Sequence, residues 1–267
     1  MTNPISLPFT PVLQLLHPRQ YSFRVMVVFI IGVVAAAAGM ALKLFPLWAG
    51  TLIVLAALFP TGLAKWRDDA RLFGWVVTLL GVLLTSQGLH TIEHVIQWLQ
   101  YHALYWTMRQ SSGLVSPANA EWVHFVWNWW VLICVAILFR GGVRNIWALL
   151  LLAIVIAHTF EHTYMFVRHL QILDQLNSLG VTKLTAQGLP GILGRDGWLA
   201  RSEFTQGTFL CSLPVLTTVV RLDVHFGWNM IEMALLLPAA HVFLRNKFIK
   251  PPEAQALSLT PLPAPQK

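Results

Sequence analysis

The sequence predicts an all-α integral membrane protein with six transmembrane helices. Three observations carry that prediction. The chain of 267 residues is 56% hydrophobic and only 11% charged, whereas soluble domains carry about 25% charged residues. Six apolar stretches are long enough to cross, or nearly cross, a hydrocarbon core of ~30 Å. The basic residues behind the formal charge of +7 lie in short clusters between those stretches, as membrane loops require. They form no single patch, so no nucleic-acid partner is expected.

Residues 1–23 read as an irregular N-terminal arm, with prolines at 4, 8, 11 and 18 and no basic start or long apolar centre of a cleavable signal. A single transmembrane domain then covers 24–250, with spans at about 25–42, 47–63, 72–98, 122–139, 146–172 and 225–244. Pro60 and several glycines weaken the second span, for which a re-entrant segment is the alternative. An outer loop runs over 173–224 and holds a further apolar stretch, TFLCSLPVLTTVV, that could lie at the membrane interface or dip into it. Five prolines in PPEAQALSLTPLPAPQK make 251–267 a disordered tail. Cys134 and Cys211 have no metal-type spacing, and Cys134 lies mid-span, so no disulfide between them is expected.

Orientation follows from charge. Arg19 and Arg24, then Lys65, Arg67 and Arg71, then Arg140 and Arg144, and finally Arg245, Lys247 and Lys250 all fall on one side if both termini are cytoplasmic. The expectation is a multi-pass protein of the cell or inner membrane, solvated by the lipid bilayer.

Spans three and five carry near-identical polar insertions, LHTIEH at 89–94 and AHTFEH at 157–162. Spans four and six open on VHFVWN at 123–128 and VHFGWN at 224–229. Both pairs recur in the same order, which makes spans 3–4 and 5–6 an internal duplication of one helical hairpin. His90 precedes His124 by 34 residues and His158 precedes His225 by 67, so 33 extra residues sit in the second outer loop. The repeats are parallel, related by a pseudo-two-fold axis along the membrane normal, and predict a four-helix bundle buttressed by spans 1 and 2.

Residues at i, i+3 and i+4 share one helix face. His90, Glu93 and His94 can therefore address one point, as can His158, Glu161 and His162; His124 and His225 complete the set. Six imidazoles and two carboxylates near the outer half of the membrane suit a dinuclear centre of Fe, Cu or Zn, and bound cations would explain why two carboxylates are tolerated in lipid. Asn128 and Asn229 are natural partners for imidazole N–H groups or a bound water. Glu232 has no equivalent in span 4, where Val131 aligns, and could relay protons.

Each element also has a plainer reading. A lone intramembrane histidine is more often a helix-to-helix hydrogen bond than a ligand. Glu93 and Glu161 could pair with Arg109 or Arg168. The tryptophans at 127, 129, 130 and 228 read as interfacial anchors rather than parts of a site. His17, His102, His169 and His241 have no repeat partner and are taken as ordinary. H-x-x-E-H is also the inverzincin spacing, but those enzymes are soluble and carry one such motif. Membrane desaturases and hydroxylases share histidine clusters on transmembrane helices, yet HxxHH is absent here, so the likeness is one of chemistry only.

The leading expectation is a metal-dependent oxidoreductase acting on an apolar or lipid-like substrate, with a redox partner as a further possibility. The alternatives are a metal transporter or metal-delivery protein, a haem- or pigment-binding subunit, and a structural membrane subunit knitted by a buried polar network.

Overall fold

The computed structural model describes residues 11–181 and 188–249. Among these the chain forms eight α-helices: α1 (Pro11–Leu16), α2 (Ser22–Ala41), α3 (Leu47–Phe73), α4 (Trp75–His102), α5 (Glu121–Arg140), α6 (Ile146–Ser178), α7 (Trp198–Arg201) and α8 (Arg221–Ile249). Helices α2, α3, α4, α5, α6 and α8 are each long and apolar enough to cross a membrane. The expectations for residues 1–10 and for the tail at 251–267 lie outside the described residues.

The helices differ from the sequence expectation mainly at their ends. Helix α3 passes through Pro60 without breaking and continues ten residues beyond position 63, so the second span is a full helix rather than a re-entrant segment. Its polar extension is held by the Lys65–Asp69 ion pair at i, i+4 and by Arg19 on the same carboxylate. Asp69 itself is fully buried. Within the arm expected to be irregular, Pro11–Leu16 is helical, which Pro11 permits because the first turn needs no N–H from it. Leu15 is completely buried and lies against Gly81 of α4.

Four helices close a ring: α4 packs on α5 and α8, and α6 packs on the same two. Helix α3 flanks α4, and α2 lies outside α3. The faces turned away from the ring are apolar and exposed, including Leu89, Ile92, Val126, Phe160, Ile31 and Val34; exposure of this kind is suited to lipid.

The ring's interior changes character along its length. Toward the end bearing α1, Val77, Leu80, Leu83, Leu84, Val131, Leu138, Leu151, Val155, Leu236 and Ala240 form a dry apolar core. Toward the other end the same helices bury Gln87, Thr91, Glu93, His94, His124, Asn128, His158, Glu161, His162, His225, Asn229 and Glu232. A stripe this polar cannot face hydrocarbon, where each unsatisfied group costs several kcal/mol, so it fixes which face of each helix turns inward.

Segments 103–120, 179–181 and 188–220 sit at the polar end. In the stretch expected as an interfacial or dipping apolar element, Phe209–Ser212 forms a 3-10 turn, with Phe209, Leu210, Val215 and Leu216 exposed. Backbone bonds Gly194 N–H to Leu216 O and Arg195 N–H to Val219 O fold this loop onto itself.

Candidate metal centre

The two H-x-x-E-H stretches lie on α4 and α6, and the two V-H-F-x-W-N stretches open α5 and α8. Helical spacing puts His90 and His94 on one face of α4 and His158 and His162 on one face of α6, with ring centroids 4.7 Å and 4.8 Å apart. His124 and His225 enter between them. His124 lies 5.5 Å from His90, 5.6 Å from His94 and 5.2 Å from His162. His225 lies 5.9 Å from His94, 4.9 Å from His162 and 5.8 Å from His124. All six expected histidines thus meet in one cluster, five of them buried and His90 half-buried.

One subset is tighter than the rest. His90, His94 and His124 each offer a ligand atom within 4.8 Å of the other two, and the Nε2 atoms of His90 and His94 are 3.3 Å apart. The edge of a tetrahedron around a metal with N bonds of ~2.0–2.1 Å is about 3.3–3.4 Å, so this pair already has the spacing of two ligands on one ion.

Hydrogen bonds fix several of the rings. His94 Nδ1 faces the Gln97 carboxamide oxygen at 3.0 Å, His225 Nδ1 faces the Arg221 carbonyl at 3.0 Å, and His158 Nδ1 faces a Glu232 carboxylate oxygen at 2.7 Å. An oxygen acceptor at Nδ1 holds the proton there in the neutral ring and leaves the Nε2 lone pair for another partner, the arrangement typical of metal-binding histidine. By contrast, both ring nitrogens of His124 and His162, and Nε2 of His158, are buried without a hydrogen-bond partner among the described residues. Buried polar atoms left in that state cost about 1–3 kcal/mol each.

The two glutamates do not join the imidazoles. Glu93 accepts hydrogen bonds from the backbone N–H groups of Leu114 and Val115, at 2.8 and 2.9 Å. Glu161 accepts from Ile192 and Leu193, at 3.0 and 3.3 Å. In both cases a glycine precedes the two amides, and a Cβ on Gly113 or Gly191 would collide with the carboxylate. The carboxylates that the sequence placed among the ligands therefore anchor the long loops, and neither is paired with Arg109 or Arg168. Arg168 bonds Gln171 instead.

The asparagines bond backbone rather than ring atoms: Asn128 Nδ2 donates to the His124 carbonyl and Asn229 Nδ2 to the His225 carbonyl, at 2.9 and 3.0 Å. Glu232 is almost completely buried and accepts a 2.8 Å hydrogen bond from Gln87 in addition to its contact with His158.

Several contributors escaped sequence reasoning. Trp127 and Trp228, read as interfacial anchors, pack against histidines, Trp127 tilted against His90 at 4.8 Å and Trp228 stacked on His158 at 5.1 Å, and the Trp127 indole donates to Gln87 Oε1 at 3.1 Å. Their place in the repeated V-H-F-x-W-N stretch was the available signal. Gln97 extends the chain of bonds from His94 to Asn119. Arg221 joins the start of α8 to the buried Glu121 at the start of α5 and to the Leu189 carbonyl, each at 2.7 Å. Of the histidines outside the cluster, His102 meets Asp223 at 2.7 Å.

Fold and donors together define a class, an α-helical protein of membrane-spanning character with a buried polyhistidine cluster at one end of a four-helix ring. Compared with known protein families, with curated proteins and with solved structures, the chain matches none.

Proposed function

We propose that the chain is an integral membrane metalloprotein whose resident transition metal is bound by His90, His94 and His124. The observation that carries this reading is the mutual approach of those three ligand atoms within 4.8 Å in a buried site. An imidazole-only donor set suits Fe, Cu or Zn. With Glu93 and Glu161 committed to loop amides, the ligands in this reading are histidines, and the carboxylates hold the loops that cover them.

Among reaction classes we assign a metal-dependent oxidation of an apolar or lipid-like substrate, supported by a site whose surroundings on every outward helix face are apolar. Transport is disfavoured by the dry core of Leu83, Leu84, Val131, Val155 and Leu236, which closes the ring beneath the cluster and offers no donors to a moving ion. Haem is disfavoured by ring separations of 4.7–5.9 Å, which leave no slot for a macrocycle. A purely structural polar network would satisfy its own nitrogens, whereas five imidazole nitrogens here lack partners among the described residues.

We also read α4–α5 and α6–α8 as copies of one hairpin. Exchanging the copies carries the Trp127–His90 ring contact onto Trp228–His158, the Asn128 bond onto that of Asn229, and Glu93 with Gly113 onto Glu161 with Gly191. Twenty residues separate Glu93 from Gly113 and thirty separate Glu161 from Gly191; the extra chain of the second copy is thus split by its glycine into two inserts. The basic clusters lie at the opposite end from the histidines, which supports cytoplasmic termini and a cluster toward the outer face.

The test is elemental analysis of detergent-purified protein. At least one equivalent of Fe, Cu or Zn per chain is expected, falling in His94→Ala. Less than one equivalent, unchanged by that substitution, would sink the reading.

A further inference from the structure

We infer that His158, His162 and His225 hold a second transition-metal ion beside the first, at a site of different character. This rests on the metal reading proposed above and deepens it.

An ion on His90, His94 and His124 takes up one ring nitrogen of His124 and leaves, in the other half of the cluster, both ring nitrogens of His162 and Nε2 of His158 buried without a partner. These are deep in the ring, with His158 and His162 each 1% exposed. Native interiors pair nearly all such atoms, and no side chain among the described residues does so here. A second cation accepts the lone pairs that the first cannot reach. His162 is the hub, in ring contact with His158 at 4.8 Å and with His225 at 4.9 Å. His158 and His225 already have Nδ1 engaged by oxygen acceptors, so each presents Nε2.

The two triads abut. His124 is stacked on His162 at 5.2 Å, and His94 lies 5.9 Å from His225, so ions in the two triads would be close neighbours, as in dinuclear sites with metals ~3.5–4 Å apart. They would not be equivalent. His158 is oriented by a carboxylate, Glu232, while His94 is oriented by the neutral carboxamide of Gln97. A carboxylate behind an imidazole makes it the more basic ligand, so the His158 site favours the more highly charged ion of the pair.

Full-length protein stripped with a chelator and titrated with Co(II), followed by its visible absorption and by elemental analysis, decides the matter. Two equivalents are expected in the unaltered chain, and one in either His162→Ala or His94→Ala. Saturation at one equivalent that His162→Ala leaves unaltered overturns the second site and leaves the first standing. A single equivalent abolished by His162→Ala indicates one shared ion and also overturns it, as would two equivalents retained in that variant. Absence of any bound Co(II) overturns both readings. Should His162→Ala fail to fold, the titration of the unaltered chain still reads one ion against two.

Discussion

Gln87 on α4 and Glu232 on α8 share a 2.8 Å hydrogen bond at the floor of the histidine cluster, and each stands where the other hairpin has valine. Gln87 lies three residues before His90, as Val155 lies three before His158; Glu232 lies seven after His225, as Val131 lies seven after His124. The two polar side chains face each other and bond, so they form a matched pair. It reaches the cluster on both sides, through His158 and through the Trp127 indole packed against His90.

Glu232→Val leaves His158 Nδ1 without its acceptor and leaves the Gln87 amide with only Asn229 Oδ1, at 3.2 Å. Second contacts of this kind change metal affinity by about 10–100-fold. The expected result is a loss in that range confined to the half of the cluster containing His158, read as separation of two Co(II) binding steps. Equal weakening of both steps would contradict the assignment of Glu232 to one site.

Glu93→Ala and Glu161→Ala should retain metal and loosen the loops. Each carboxylate holds two amides, and charge-assisted bonds contribute about 1.5–3 kcal/mol each. Hydrogen exchange is expected to rise at Leu114 and Val115 in the first variant and at Ile192 and Leu193 in the second, with metal content unchanged. Metal loss with unchanged exchange would instead make the carboxylates ligands.

The two glycines should not respond alike. Gly113→Ala pushes a Cβ into Glu93 and also strains a backbone at φ +73, a conformation that costs an L-residue about 1–2 kcal/mol. Gly191→Ala collides with Glu161 and crowds Met165 but has no such backbone cost. Both variants should melt earlier in detergent, Gly113→Ala by the larger margin.

What the sequence revealed depended on how far each signal reached along the chain. The six spans were legible because burial in lipid demands long apolar runs, and the inward histidines were legible because a polar residue inside such a run must face other protein. Helix ends were less so: α3 continues to Phe73 because Lys65 and Asp69 pair across one turn, and hydropathy falls before helicity does. The loop contacts of the glutamates were not legible for a related reason. Helical spacing places Glu93 beside His94, but which acceptor is satisfied depends on Gly113 and its neighbours, twenty residues away in an irregular loop. Trp127 and Trp228 were assigned by residue type, which favours the interface, while their helix positions, three residues after His124 and His225, bring them against His90 and His158.

Sidedness can be read from the cysteines. Cys134 is buried within α5, while Cys211 is partly exposed in the loop at the histidine end. The orientation proposed from the basic clusters puts that loop outside. A membrane-impermeant maleimide applied to intact cells should therefore label Cys211 and spare Cys134, and a Cys211→Ser variant should take up no label. A cysteine introduced at Arg144→Cys, between α5 and α6 at the basic end, should react only after permeabilisation. Labelling in the reverse order would invert the orientation while leaving the ring, its apolar floor and the histidine geometry as they stand.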